Sequence, residues 1–181
     1  MKQNLDFESL EKNLIDVIAE SHIKLGYTKS SMGFYYPLES LNRLLDSELS
    51  SADMEKALQG FCEFAKARLG KVSYSRDNTR FCILIPAEGV EYVHEKIKDT
   101  GFLREFIEGI QCHNCTIEDI LKIFSHYSEH VKCEKLDNGE FDYLLYFEDG
   151  VPDTYRYCVK FEGGHITYHR FTQKDYGALG F

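Results

Sequence analysis

The spacing of apolar residues changes along the chain, and this change limits the fold more than any other sequence feature. Residues 1–70 and 87–130 repeat apolar side chains every three or four positions, which is typical of amphipathic helices. Residues 71–86 contain two short apolar runs around a polar turn, the pattern of a β-hairpin. From 131 to 171 apolar and polar residues alternate, which predicts β-strands.

Turn signals divide the alternating region into four strands. They are Asp137-Asn138-Gly139, Asp149-Gly150 and Gly163-Gly164. Because the helices come before these strands rather than between them, we predict an α+β fold. It has N-terminal helices with an inserted β-hairpin, further helices, and a C-terminal four-stranded antiparallel meander with helices packed on one face. The inward face of the meander is predicted to carry an aromatic and aliphatic set: Phe141, Tyr143, Leu145, Phe147, Tyr155, Tyr157, Val159, Phe161, Ile166 and Tyr168.

Domain organisation and two local segments complete the fold prediction. No linker-like stretch interrupts the chain, so we expect a single domain over 1–181, with 172–181 as a partly ordered tail. Residues 27–36 lose the helical period and are predicted to form an irregular aromatic loop. The nearly continuous apolar run Phe81–Ile85 predicts a strand buried on both faces. The pattern leaves open whether the hairpin at 72–85 joins the C-terminal sheet.

Charge and composition exclude several classes of partner. The chain has 30 acidic and 21 basic residues, a formal net charge of −9, so we expect neither nucleic acid nor an anionic membrane as a partner. No apolar run has the length of a transmembrane helix, and the first residues lack the apolar segment of a signal peptide. We therefore expect a cytoplasmic protein. Glycine-rich nucleotide-binding and nucleophile-elbow motifs are absent, and no cofactor is predicted.

A pair of cysteines and a pair of histidines have a spacing close to that of a zinc finger. The pattern runs from Cys112 and Cys115 to His126 and His130. The helical period begins directly after Cys115, so His126 would lie about 16 Å away along a helix axis, too far for one tetrahedral site. A redox dithiol is disfavoured because the cysteines lie between helices rather than after a strand. We interpret these residues as reduced thiols and surface histidines.

The segment 126–130 also matches H-x-x-E-H, a metalloprotease motif. On a helix, His126 and His130 could bind one Zn²⁺ while Glu129 polarises a bound water. Nothing in the sequence marks a third ligand, and the helix is predicted to end near His130. A small zinc-dependent hydrolase is therefore kept as an alternative function.

The outward face of the meander carries the most site-like polar cluster. If the aromatic set faces inward, Asp142, Tyr146, Arg156, Lys160 and His169 share the other face. Cationic side chains and a tyrosine hydroxyl can hold an anionic group, and Asp142 could orient one of them. A small-anion-binding domain is the second alternative. The acidic residues between 137 and 153 lack the calcium-loop pattern and are interpreted as a solvated turn edge.

Two segments resemble a known family. The stretch from Phe34 to Leu41, Phe-Tyr-Tyr-Pro-Leu-Glu-Ser-Leu, and the ending Ile166 to Phe171 are similar to short bacterial proteins known only as a domain of unknown function. The resemblance covers most of the chain. It implies a single-domain bacterial cytosolic protein and carries no activity, ligand or catalytic residue with it.

The leading functional prediction is a non-enzymatic binding or protein-interaction module. An α+β core, an acidic surface and the lack of a convincing catalytic cluster favour it. Its partner is predicted to be another protein or a small anionic ligand. Contact would occur through residues 27–36 or through the polar sheet face.

Overall fold

The chain forms two compact units. The structure is a computed structural model that describes residues 5–97 and 101–172. Unit 1 is Met1–Lys98 and unit 2 is Asp99–Phe181. The single domain over 1–181 stays a prediction.

Unit 1 combines helices with a three-stranded antiparallel sheet in the order β1-β3-β2. Its elements are α1 (Phe7–Leu25), β1 (Met32–Pro37), α2 (Leu38–Leu44), α3 (Ser51–Leu69), β2 (Ser73–Asp77), β3 (Arg80–Ile85) and α4 (Ala87–Lys96). Side chains cap both long helices: Asp6 accepts a hydrogen bond from the Ser9 N–H at 3.0 Å, and Ser50 accepts one from the Asp53 N–H at 3.3 Å. Gly26 ends α1 with a φ of +81°, a backbone angle that favours glycine.

The prediction of an irregular loop over 27–36 is wrong for its second half. Residues from Met32 onward form β1, which pairs with β3 so that Phe34 lies opposite Ile83. Residues at positions 32, 34 and 36 are half-buried, and the Tyr36 hydroxyl donates to the Asn13 side chain at 2.8 Å. Tyr35, between them, is 64% exposed. Three consecutive aromatic residues hid this alternation, because a run of similar side chains shows no period of two.

The prediction that Phe81–Ile85 is buried on both faces is also wrong. Phe81, Ile83 and Ile85 are buried in the core of unit 1, whereas Leu84 is 42% exposed. The strand is central in its sheet, but among residues 5–97 the buried apolar side chains of the helices pack on its inner face. The hairpin of β2 and β3 forms a sheet with β1. Within the described residues it is therefore not part of the C-terminal sheet.

Unit 2 consists of two helices followed by a four-stranded antiparallel meander in the order β4-β5-β6-β7, within the residues that the structure describes. The elements are α5 (Phe102–Ile110), α6 (Ile117–Tyr127), β4 (Val131–Lys135), β5 (Tyr143–Phe147), β6 (Arg156–Glu162) and β7 (His165–Phe171). The predicted α+β class is thereby confirmed. Of the predicted tail at 172–181, all but the first residue lies outside the described part of the chain.

Aromatic rings fill the space between the two helices and the inner face of the meander. The Phe102 ring lies 4.9 Å from the rings of both Phe124 and Phe147 and 5.7 Å from that of Tyr157, in edge-to-face arrangements. Phe106 meets Tyr157 at 5.0 Å. Such edge-to-face pairs add stabilisation to the burial of their area. The predicted inward aromatic face, with helices packed on it, is confirmed for Phe147 and Tyr157. It is wrong for Phe141, which packs with Leu144 and Cys158 on the outer face, because this residue precedes the start of β5 and strand alternation does not fix its side.

Candidate functional site

The helix that carries the H-x-x-E-H segment ends inside the motif. His126 lies in the last turn of α6, and Ser128 is its C-cap in extended conformation. Glu129 and His130 therefore lie beyond the helix, and the two histidines do not share a helix face. Across residues 5–97 and 101–172, no three His, Cys, Asp or Glu side chains are grouped so that they could hold a metal ion.

His126 takes part in a contact between α5 and α6. Its Nδ1 lies 3.3 Å from a Glu105 carboxylate oxygen, which also accepts a hydrogen bond from the Tyr127 hydroxyl at 2.7 Å. The hydrogen bonds from Tyr127 and His126 lower the pKa of Glu105. Cys112 and Cys115 lie before the other end of α6, so the helix separates the two halves of the zinc-finger pattern. The contacts of Glu105 with His126 and Tyr127 thus connect α5 and α6 through hydrogen bonds.

On the outer face of the meander the structure brings two of the predicted residues into contact. The Arg156 guanidinium carbon lies 3.8 Å from the centre of the Tyr146 ring, and these residues are register partners on β6 and β5. The Tyr146 hydroxyl donates to Glu134 on β4 at 2.9 Å. Stacking on an aromatic ring is favourable for a guanidinium. This row of three residues crosses three strands.

The other three predicted residues each have a separate local partner. The Lys160 ammonium donates to the Gly139 carbonyl at 3.3 Å. Asp142 accepts a hydrogen bond from the backbone N–H of Phe161 at 2.7 Å, and the His169 ring lies 5.4 Å from that of Phe141. Lys160 and Arg156 are four residues apart on one strand, so their Cα atoms are separated by about 13 Å. This separation is too large for both side chains to bind one small anion.

This outer face has an apolar core of its own, which the alternating pattern did not predict. Leu144 and Cys158 are fully buried there, packed with Phe141 and Phe171. Leu136 packs against them from the segment between β4 and β5. The signal was present in Leu136 and Phe141, two apolar residues on either side of a turn, although Phe141 was expected on the inward face.

Two members of the acidic stretch, Asp153 and Asp142, are half-buried and accept hydrogen bonds from neighbouring groups of the protein. The Asp153 carboxylate accepts hydrogen bonds from the Tyr155 N–H at 2.9 Å and from the Tyr157 hydroxyl. The Arg170 guanidinium lies 3.8 Å from it, and the Arg170 side chain is only 7% exposed. Burial and the Asp153 carboxylate raise the pKa of Tyr157 well above its ordinary value. Asp142, described above, is the other. The interpretation as a solvated turn edge is wrong for these two residues, which hold the backbone in place.

A cleft of about 540 Å³ lies where the start of α6 meets the ends of β4, β5 and β6. No local pattern in the sequence predicts this cleft, since its walls come from four separate segments. Its lining residues are Cys115, Thr116, Ile117, Glu118, Lys135, Asp142, Tyr143 and Phe161. The Thr116 side chain and Asp119 form a reciprocal capping box that pairs the backbone N–H groups of these two residues.

The walls of the cleft are partly apolar, and its polar groups carry both signs of charge. Ile117, Tyr143 and Phe161 supply the apolar surface, and the last two rings meet edge to face at 6.1 Å. Within the described residues, Lys135 makes no ion pair and the Tyr143 hydroxyl makes no hydrogen bond. Glu118 is an exposed carboxylate. Free donors, a carboxylate and an apolar wall can together bind an amphipathic ligand.

None of the described helices has an apolar stretch long enough to cross a lipid bilayer. No curated protein and no solved structure matches the chain. Residues 7–180 match a family described as a domain of unknown function from E. rectale, DUF3877. Because this match covers nearly the whole chain, the protein belongs to this family of unknown function.

Proposed function

We propose that the protein is a non-enzymatic binding module that contacts a partner protein through the cleft of unit 2. The occupant is a positively charged peptide segment of the partner, with one apolar side chain. The observation that carries the proposal is the combination of an open apolar wall with unpaired donors and carboxylates around it. Such a surface suits recognition of a ligand.

The apolar part of the peptide would contact Ile117, Tyr143 and Phe161. Tyrosine and phenylalanine offer large contact areas with few rotatable bonds, so little conformational entropy is lost on binding. Lys135 and the Tyr143 hydroxyl would donate to main-chain carbonyl oxygens of the peptide. Neither donor gives up another partner among the described residues when it does so.

The charge of unit 2 favours a basic partner. Residues 99–181 contain 15 acidic and 8 basic residues, so most of the excess negative charge of the chain belongs to this unit. Glu118 lies in the wall of the cleft itself. Complementary charge raises association rates and selects against acidic partners.

The two other predicted functions have weaker support. A zinc-dependent hydrolase needs at least three converging ligands, and Glu129 and His130 lie beyond the helix that carries His126. A small-anion site on the outer face needs Arg156 and Lys160 at one point, but they lie about 13 Å apart along the strand. As part of the proposal we place the protein in the bacterial cytoplasm, supported by free thiols at all six cysteines.

The test is a titration of the isotopically labelled full chain, followed by amide chemical shifts. The probes are two short synthetic peptides that each contain one Phe, flanked by Lys in the first and by Glu in the second. We expect the Lys peptide to shift the amides of residues 115–118, Lys135 and Tyr143, and the Glu peptide to leave them unchanged.

A matched pair of variants separates the cleft from general charge attraction. Glu118→Gln removes a carboxylate from the cleft wall, and Glu108→Gln removes an equally exposed carboxylate from α5. We expect only the first to weaken binding of the Lys peptide, by roughly fivefold for one partly exposed charge pair. Equal weakening by both variants, or shifts scattered over the surface, would refute the proposed site.

A further inference from the structure

The connection between α5 and α6 carries two cysteines three residues apart, Cys112 and Cys115, whose thiols lie 3.5 and 3.7 Å from the Glu108 and Thr116 carbonyl oxygens. The backbone N–H of Cys115 donates to the Cys112 carbonyl at 3.3 Å and closes a turn across the C-x-x-C segment. Asn114 supports this turn with a left-handed φ of +61°. Such a turn brings its first and last Cα atoms to within about 7 Å. Natural disulfides join Cα atoms that are about 4.4–6.8 Å apart, so the backbone already holds the pair near bonding distance.

The other four cysteines are placed differently. Cys62, Cys82, Cys133 and Cys158 lie on α3, β3, β4 and β6, one on each element, and all are half-buried or buried. Burial raises the pKa of the Cys62 and Cys133 thiols, and that of Cys158 to about 11. Thiolates are the reacting species, so the raised pKa slows exchange at Cys62, Cys133 and Cys158. Cys112, by contrast, is exposed.

We propose that Cys112 and Cys115 form a reversible thiol–disulfide exchange site for low-molecular-weight disulfides. This goes beyond the proposed function, because it requires no ligand in the cleft. It differs from a catalytic redox motif, in which the attacking cysteine begins a helix that follows a strand. Here Cys112, the exposed member of the pair, precedes α6 by several residues.

The exchange proceeds in two balanced steps. The Cys112 thiolate attacks one sulfur of the small disulfide, whose S–S bond breaks and releases one thiolate, which takes up a proton. The Cys115 thiolate then attacks the Cys112 sulfur of the mixed disulfide and releases the second small thiol. The protein loses two hydrogen atoms in total, and the small disulfide is reduced to two thiols.

The second step is expected to be the slower one. Cys115 is half-buried, and its burial together with the nearby Asp119 carboxylate raises the pKa of its thiol. A smaller thiolate fraction slows attack at neutral pH, so closure of the disulfide should accelerate as the pH is raised.

The experiment incubates the folded full chain with mixtures of oxidised and reduced glutathione, followed by alkylation and peptide mass spectrometry. We expect an intramolecular Cys112–Cys115 disulfide at glutathione ratios where the other four cysteines remain alkylated thiols. Cys112→Ser should abolish it, and Cys115→Ser should leave a persistent glutathione adduct on Cys112. Cys133→Ser is the matched control and should form the disulfide as the unmodified chain does.

Two outcomes would overturn the proposal. One is a glutathione adduct that accumulates on Cys112 in the unmodified chain without closing to a disulfide. The other is oxidation of the four remaining cysteines before or together with the pair. Circular dichroism of each variant checks that the fold is retained, and both serine variants replace surface or half-exposed thiols.

Discussion

Substitution of one buried glycine in unit 1 tests how closely its elements are packed. Gly89 lies in the first turn of α4, and a Cβ added there would fall well inside contact distance of the Leu69 carbonyl oxygen. It would also lie 2.8 Å from Cγ2 of Ile85. The first neighbour is main chain at the end of α3, so it cannot turn aside as a flexible side chain could. Gly89→Ala must therefore separate α4 from α3.

The size of the effect follows from two opposing contributions. Overpacking of a filled core costs about 1–3 kcal/mol, and a clash with main chain belongs at the upper end of that range. Alanine in place of glycine within a helix stabilises by about 1 kcal/mol. We therefore expect Gly89→Ala to lower the free energy of unfolding by about 2 kcal/mol.

Urea unfolding followed by far-ultraviolet circular dichroism measures this change, and hydrogen exchange assigns it to unit 1. Gly60→Ala in α3 is the matched control, since its added Cβ would meet only the side chain of Phe7, at 3.2 Å. That variant should be neutral or more stable by up to about 1 kcal/mol. If Gly89→Ala proves as stable as the unmodified chain, the inferred close approach of α4 and α3 is incorrect.

Three further predictions concern charge and capping. Burial and the nearby His94 imidazole lower the pKa of His22 below its ordinary value of 6.5, so the unfolded chain binds this proton more readily. The free energy of unfolding should therefore fall as the pH decreases below about 7, and His22→Phe should reduce that slope in urea titrations. Thr116→Ala removes the cap of α6 and should cost about 1 kcal/mol, whereas Thr116→Ser should retain most of the stability. Arg170→Met leaves Asp153 buried without its cation and should cost about 3 kcal/mol, and Asp153→Leu combined with it should recover part of that loss.

Each of these has a result that would contradict it. If the free energy of unfolding of the unmodified chain does not change with pH below about 7, protonation of His22 is not coupled to stability. Equal stability of the alanine and serine variants at Thr116 would mean that the capping hydrogen bond contributes nothing. If Arg170→Met lowers the free energy of unfolding by less than about 1 kcal/mol, the ion pair contributes no more than a solvent-exposed pair does.

Features that depend only on residues close together in the sequence could be predicted from it. The cap of α6 at Thr116 is one such feature, because a hydroxyl before an apolar helical period can accept a hydrogen bond from a free N–H group of the first turn. The inward face of the meander followed from alternation, because successive strand residues must point to opposite sides of a sheet. Strand β1 was missed, since Phe34, Tyr35 and Tyr36 present similar side chains to both sides.

The candidate site shows where local patterns stop being sufficient. Alternation correctly put Tyr146 and Arg156 on one face, and they are in contact. It could not show that Lys160 bonds to the Gly139 carbonyl or that Asp142 holds the backbone of Phe161. Those contacts depend on the path of the segment between β4 and β5, which folds over the outer face.

The amino-acid sequence by itself determined the α+β class, the order of helices before the meander, and the aromatic face of that meander. Periods of 3.6 and 2 residues arise from backbone geometry, which acts within a few residues. The cleft was decided only by the tertiary structure, because residues 115–118, Lys135, residues 142–143 and Phe161 come together from separate segments. Their meeting depends on how the aromatic rings of α5 and α6 pack on the sheet, and side-chain packing between distant segments leaves no local period in a sequence.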